Sequence, residues 1–192
     1  MLKVGIIIGS TRPGRVGDSV AKWVFDIAQK RRDAEFELVD MQDYNLPLLD
    51  EPIPASQKKY SKDHTFKWSE KIQTFDAFVF VTPEYNHGIT GALKNALDFL
   101  YQEWNNKAAG IVSYGSASGY RAVESLRLIL AELQIAAVRA QVSFSLYTDF
   151  ENFKTFKPDP ENVKRVNTMI DQTIAWGTAL KQMRDEGSKD TK

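Results

Sequence analysis

The sequence has no cysteine, and His64 and His87 are its two histidines among 192 residues. Without thiols there is no disulfide framework, no thiolate nucleophile, no zinc finger and no iron–sulfur cluster, and a reducing compartment is compatible. The two imidazoles are too few and too far apart along the chain to suggest a metal cluster, so no metal is expected. Net charge is missing too: 25 Lys and Arg balance 25 Asp and Glu. A neutral chain has no whole-molecule field to draw in nucleic acid or an anionic membrane surface. No run of about 18 apolar residues exists to span a bilayer, and the opening segment is too short and too soon broken for a signal peptide. The expected location is cytoplasmic. With 11 Gly, 7 Pro, 43% apolar and 26% charged residues, the composition is neither disordered nor collagen-like. One domain is the default at this length, and it can bury a core without staples. It is expected over residues 1–184, followed by a frayed polar tail, 185–192.

What is present is an alternation of apolar strands and amphipathic helices. Lys3–Ile8, Phe36–Asp40, Asp76–Val81, Ala108–Ser113 and Ile135–Val142 read as strands, several of them apolar on both faces. Helical spacing recurs from Val16 to Ile27, over Phe66–Thr74 and Thr90–Leu100, from Ala122 to Leu133, and over Glu161–Met183. Asp40 to Thr65 is polar and carries Pro47, Pro52 and Pro54, so it cannot be one regular element. Strands apolar on both faces imply a parallel sheet between two helical layers. The expected architecture is α/β, a flavodoxin-like doubly wound five-stranded parallel sheet of order 2-1-3-4-5. In that order the loops after the first and third strands face each other across a crevice, where open α/β sheets bind ligands.

Those loops hold the chemistry. The first, Gly9 to Asp18, leads from a buried strand into a helix start, whose free N–H groups and partial positive charge suit an anion. Ser10 and Thr11 add hydroxyls, and Arg12 and Arg15 add guanidinium forks suited to a phosphate dianion. It matches neither the Walker pattern nor the spaced glycines of a dinucleotide fingerprint, and suits one phosphate better than a pyrophosphate. The alternative is a plain turn with two solvated arginines. The second loop, Thr82 to Gly91, offers backbone amides and Asn86 to the polar edge of a heterocycle and Tyr85 as an aromatic wall. Its alternative is a helix entry capped by Thr90. The third, Ser113 to Tyr120, is a small-residue shelf for a planar ligand, or else a flexible turn. Together the three describe a mononucleotide with a large flat ring, FMN rather than NAD or FAD.

Gly9-Ser10-Thr11-Arg12 with Arg15, and Pro83-Glu84-Tyr85-Asn86-His87-Gly88 leading to Gly91-Ala92-Leu93-Lys94-Asn95-Ala96-Leu97-Asp98, resemble the NADPH-dependent FMN reductase family of the flavodoxin-like superfamily. The resemblance spans roughly Lys3 to Val142. It implies tightly but non-covalently bound FMN, NADPH or NADH as co-substrate, and a small acceptor such as a quinone, azo compound, metal oxyanion or free flavin. It assigns Ser10, Arg12, Arg15 and the backbone at Val16 and Gly17 to the phosphate. Pro83, Glu84, Tyr85 and Asn86 go to the isoalloxazine and ribityl region, and Ser113, Tyr114 and Gly115 to the other side of the ring. Many members carry Ser and Asn where Arg15 and Gly17 stand, so position 17 is expected to offer backbone alone.

No acid, base or nucleophile is assigned, because the cofactor carries the chemistry. His87 is expected to line the pocket, with proton donation to a quinone as the sharper alternative. The resemblance also implies a homodimer or tetramer through the Gly91–Leu100 helix. Phe99, Tyr101 and Trp104 would supply apolar interface area, while Tyr60, Trp68 and the proline-rich arm would close over a neighbour's pocket. Lys58 or Lys59 would meet the NADPH 2′-phosphate. The competing reading is an FMN-binding electron carrier or redox-sensing module without turnover of its own. Such carriers usually present an acidic surface to basic partners, which this neutral chain lacks.

Overall fold

The computed structural model describes residues 1–187. Five strands form one parallel sheet: β1 (Leu2–Ile8), β2 (Ala34–Asp40), β3 (Ala77–Pro83), β4 (Lys107–Gly115) and β5 (Ile135–Ser145). Their order is β2-β1-β3-β4-β5, as the alternating pattern predicts. Five helices connect and cover them: α1 (Gly17–Ala28), α2 (Asp63–Gln73), α3 (Gly91–Asp98), α4 (Tyr120–Glu132) and α5 (Asn162–Gly187).

The two-residue period of β3 separates the cores. Val79 and Val81 point to one face, Phe78 and Phe80 to the other, and all four are fully buried. The valine face packs under α1 and α5 through Val20, Val24, Val166 and Ile170. The phenylalanine face packs under α2, α3 and α4 through Trp68, Leu97, Trp104 and Leu126. Burying each such side chain contributes about 1.5–3 kcal/mol, so the central strand fixes the fold.

Several boundaries differ from the sequence reading, mostly by elements running longer. β3 continues through Pro83, and β4 through Tyr114 and Gly115, because Thr82 and Pro83 register against Ser113 and Tyr114. Residues expected in loops thus stand on the last rungs of the sheet. Helix α5 continues past the boundary proposed at 184, through Gly187, with Arg184 bonded to Asp76 at 2.9 Å; the rest of the proposed tail, 188–192, lies outside the described residues. The 40–65 stretch contains two short 3-10 turns, Met41–Tyr44 and Ala55–Gln57. A small antiparallel hairpin, β6 (Phe150–Glu151) and β7 (Thr155–Phe156), occupies a segment read as loop.

Candidate active site

Three connections leave the carboxyl ends of β1, β3 and β4 on one side of the sheet, and the structure ties them together. Gly9 N donates to Val81 O at 2.7 Å, Glu84 N to Tyr114 O at 3.1 Å. Thr90 caps α3 by accepting from Leu93 N at 2.9 Å, and its hydroxyl donates to Gly9 O at 2.6 Å. One side chain therefore both starts a helix and pins the first loop.

Between these connections opens a cavity of about 490 Å³, within the ~300–1,000 Å³ usual for small-molecule sites. Eight of the twelve residues singled out from sequence line it: Arg12, Arg15 and Val16 from the first loop; Pro83, Glu84 and Tyr85 from the second; Tyr114 and Gly115 from the third. The other four stand apart from the wall. Ser10 and Ser113 are buried, with Ser113 Oγ donating to Ser118 O at 2.8 Å. Gly17 is buried in the first turn of α1. Asn86 sits exposed with His87 at the tip of a tight turn closed by Tyr85 N to Gly88 O at 2.9 Å. Both have positive φ, 48° and 75°, the pairing that a primed two-residue turn requires.

The first loop is built differently from the expectation that both arginines face a phosphate. Arg15 is turned onto Asp40 at the end of β2 in a two-pronged ion pair, with Nη1 to Oδ1 at 3.0 Å, and it also donates to Ser10 O. Its guanidinium is thus a strut between β2 and the loop backbone. Arg12 is exposed, and its Nε donates to Tyr85 Oη across the cavity mouth at 3.3 Å. No side chain caps α1, since Val16 occupies the N-cap without such a bond. The helix start keeps its unpaired N–H groups beside Gly14 and Val16, which line the cavity.

Gly17 explains its own lack of a side chain. A Cβ there would stand 2.5 Å from Tyr114 Oη and 2.7 Å from Ser10 Oγ. The phenol of Tyr114 reaches from β4 into the first turn of α1, with its hydroxyl 3.5 Å from Ser10 Oγ. Burial pushes the phenol up to about 12, so it remains a proton donor at any physiological pH. Tyr114 therefore bounds the α1 end of the cavity as well as its β4 side.

Glu84 lines the cavity and is tied to α4. Its carboxylate pairs with Arg121 and accepts from Arg121 N at 3.3 Å, fastening the second loop to the first turn of α4.

The remaining wall was missed in the sequence. Leu146, Asn152, Phe153 and Lys154, from the end of β5 and the hairpin turn, complete the cavity. Phe150, Phe153 and Phe156 recur around Asn152 there, a turn residue between aromatics that marks a short hairpin.

The donor set fits FMN. A helix start without a cap, a buried phenol beside it and an exposed arginine suit one phosphate; the flat backbone of Gly115 and the wall of Tyr85 suit a planar ring. Comparison with known proteins decides the family. The sequence profile of NADPH-dependent FMN reductase matches residues 2–149. The chain belongs to the NADPH-dependent FMN reductase family. It is an FMN-dependent oxidoreductase with NAD(P)H as co-substrate. An NAD(P)H-dependent FMN reductase of Nectria sp is 40% identical over 159 residues, covering 78% of this chain and 79% of the relative. A quinone reductase of Pseudomonas putida is 30% identical over 144 residues, covering 71% and 73%. Among solved structures, the FerB NAD(P)H:(acceptor) oxidoreductase of Paracoccus denitrificans superposes with a TM-score of 0.73 at 19% identity, over 93% of this chain and 98% of that one. That likeness speaks for the fold.

Four expectations about the reductase's periphery need correcting. Phe99 and Trp104 are fully buried in their own chain, packed in the α2–α4 core, so they have no area to offer a partner. Trp68 is buried as well, donating to Ala96 O at 2.9 Å. The proline-rich arm folds back onto its own α3: Asn95 donates to Pro47 O at 2.6 Å and accepts from Leu49 N at 2.9 Å. Lys58 pairs with Glu103 at 3.4 Å, beside Tyr60, whose hydroxyl donates to Glu103 at 2.9 Å. Glu103 leads into the start of β4, the end of the sheet away from the cavity, so of the two lysines expected at the NADPH 2′-phosphate, Lys58 is poorly placed and the expectation narrows to Lys59.

Proposed function

We propose that the cavity between the β1, β3 and β4 connections holds FMN tightly and non-covalently, with its phosphate at the start of α1, and that the reductase passes reducing equivalents from NADPH or NADH to a small acceptor. Quinones, azo compounds, metal oxyanions and free flavin are the candidate classes; the curated quinone reductases among the relatives favour the first. The observation that carries the reading is the uncapped start of α1 opening into a cavity that Tyr114, Arg12 and Tyr85 surround. When bound, FMN supplies the hydride chemistry; the protein supplies binding, orientation and electrostatics. The first-turn amides and the Tyr114 hydroxyl hold the phosphate, with Arg12 leaving Tyr85 to close over it. Pro83 and the Gly115 backbone bound the ring. Arg15, through Asp40, holds the loop in shape.

The purified protein is expected to be yellow, to be bleached anaerobically by NADPH, and to turn over menadione. A colourless protein that refuses added FMN would sink the proposal, and a yellow protein inert to NADPH would favour the electron carrier.

The assembly belongs to the same proposal. A second copy is expected to pack on the exposed side of α3 and the arm it holds, where Leu48 and Leu49 are 85% and 47% exposed. Among the described residues no helix is long and apolar enough to cross a membrane; a cytoplasmic location completes the proposal.

A further inference from the structure

The hairpin β6–β7 lies beyond the residues that match the family profile, which end at 149. Its base is packed and hydrogen-bonded onto the domain. The Phe150 ring packs on Phe156 at 4.9 Å between centroids and on Tyr114 at 6.2 Å. Phe156 meets Phe144 edge-on at 4.9 Å and Trp23 at 5.7 Å. Lys157 N donates to Asp149 O at 2.8 Å, while the Asp149 carboxylate accepts from Ser145 N at 2.9 Å.

The tip contrasts with that base. Asn152 and Phe153 both adopt left-handed backbone, φ 51° and 57°, which a bulky side chain rarely does. Phe153 is 57% exposed, yet it lines the flavin cavity. Tyr147, 68% exposed, backs it edge-on at 5.6 Å. A fixed base thus holds an apolar ring out into water, against backbone preference, on one wall of the site.

We propose that Phe153, backed by Tyr147, is the acceptor-side wall of the site and selects planar conjugated acceptors, quinones above all, by stacking on them. The inference rests on reading the cavity as the FMN site. A flat conjugated ring gains an aromatic contact there, offset or edge-to-face. A compact hydrated oxyanion or metal complex has no face to stack and gains nothing. The reaction served is balanced within the reductase's own substrates. NADPH releases a hydride, carrying two electrons and one proton; the quinone receives these with one solvent proton and leaves as the hydroquinone.

The test compares kcat/KM for menadione and for ferricyanide, at saturating NADPH, in FMN-loaded wild type and Phe153→Ala. Menadione should lose about three- to tenfold, mostly through KM, as expected for one lost aromatic contact. Ferricyanide should change by less than about twofold, since it offers no ring to stack. Phe153→Trp should restore menadione turnover, and Tyr147→Ala should show the same selectivity more weakly. The flavin spectrum and melting temperature establish that the exposed-tip variants are folded and loaded. A parallel loss for both acceptors, or an unchanged menadione value, overturns the hairpin's role while leaving the FMN site intact. A wild type that takes up no FMN, or never reduces menadione, overturns this inference together with the reading beneath it.

Discussion

The two ends of the central sheet are made from the same five strands and use their polar groups differently. At the amino end, Asp76 is 8% exposed and is surrounded by donors: Lys3 N at 3.0 Å, Lys181 at 2.8 Å and Arg184 at 2.9 Å. Glu103, also buried, takes Ser69 at 2.6 Å and Tyr60 at 2.9 Å. Charge there locks α5, α2 and the strand starts together. At the carboxyl end the start of α1 opens uncapped into a cavity, and Arg12 reaches across the mouth to Tyr85 through an exposed bond. Charged side chains are paired at this end too, Arg15 with Asp40 and Glu84 with Arg121, but here the first-turn amides of α1 open into the cavity. The difference locates function: a fold spends its paired charges on stability and its unpaired donors on binding.

The largest expected effect comes from breaking the closed end. Asp76→Ala removes the acceptor shared by three donors. It should destabilise the protein by about 2–4 kcal/mol, somewhat less than a fully buried pair because Lys181 can turn to water. FMN affinity should stay near that of the wild type, since the proposed site is at the other end. Burial alone would raise the Asp76 carboxyl, but the bonds from Lys181 and Lys3 N, with the Lys181 and Arg184 charges, outweigh it and hold it below the ordinary carboxylate range. The stability it brings is therefore present above the unfolded carboxylate's pKa and is lost as pH falls through the folded value. Urea unfolding across the acid range should show a shallower acid limb in the variant.

At the open end, Gly17→Ala forces a methyl against Tyr114 Oη and Ser10 Oγ. Overpacking of this kind costs about 1–3 kcal/mol, and here it also displaces the helix start proposed to hold the phosphate. Flavin release should rise well before the fold is lost, the reverse of the order expected for Asp76→Ala. Adding Tyr114→Phe removes the clashing oxygen and should recover part of the melting temperature, a coupling that a double-mutant cycle measures.

Lys107 sharpens the contrast within the closed end. It is 5% exposed, donates to Ile72 O at 3.1 Å and lies over Phe78 at 5.3 Å. Burial, then the Arg184 charge, pull its ammonium down to about 7. An unfolded lysine titrates near 10.4, so between those values the unfolded chain binds more protons and stability rises with pH. The cost of holding this lysine is full below about 7. Lys107→Met should remove it, flatten the rise, and stabilise the protein by about 1–2 kcal/mol at acid pH, because an apolar side chain replaces a buried charge.

The sheet order and the three connections were legible because β1, β3 and β4 are apolar on both faces and lead into glycines, hydroxyls or proline. What was illegible depended on partners distant in sequence. Arg15 reads as an arginine free to meet a phosphate, and no local pattern shows its pairing with Asp40, 25 residues away. Phe99 and Trp104 look like interface residues because aromatics near a helix end suit both a core and a partner, and only the α2–α4 packing separates these. The hairpin hid behind strands of two residues, too short for any period to show.

The smallest of the expected effects decides what Arg15 does. If its guanidinium gripped the phosphate, Asp40 would be a competitor, and Asp40→Asn would free the arginine and tighten FMN binding. The structure makes Asp40 the post to which Arg15 is tied, and Arg15 the tie that holds Ser10 O and hence the loop's backbone. Asp40→Asn should then weaken FMN binding by up to about tenfold, on the order of 1 kcal/mol, the scale of one charge-assisted hydrogen bond removed from a partly buried network. Arg15→Met should weaken it to a similar degree, and the pair together scarcely more than either alone, because both substitutions remove the same strut. Fluorescence titration of the apoprotein with FMN reads all three variants. Tighter binding in Asp40→Asn would put the guanidinium back on the phosphate and make the open end more like the closed one, with its charge spent directly on the bound group.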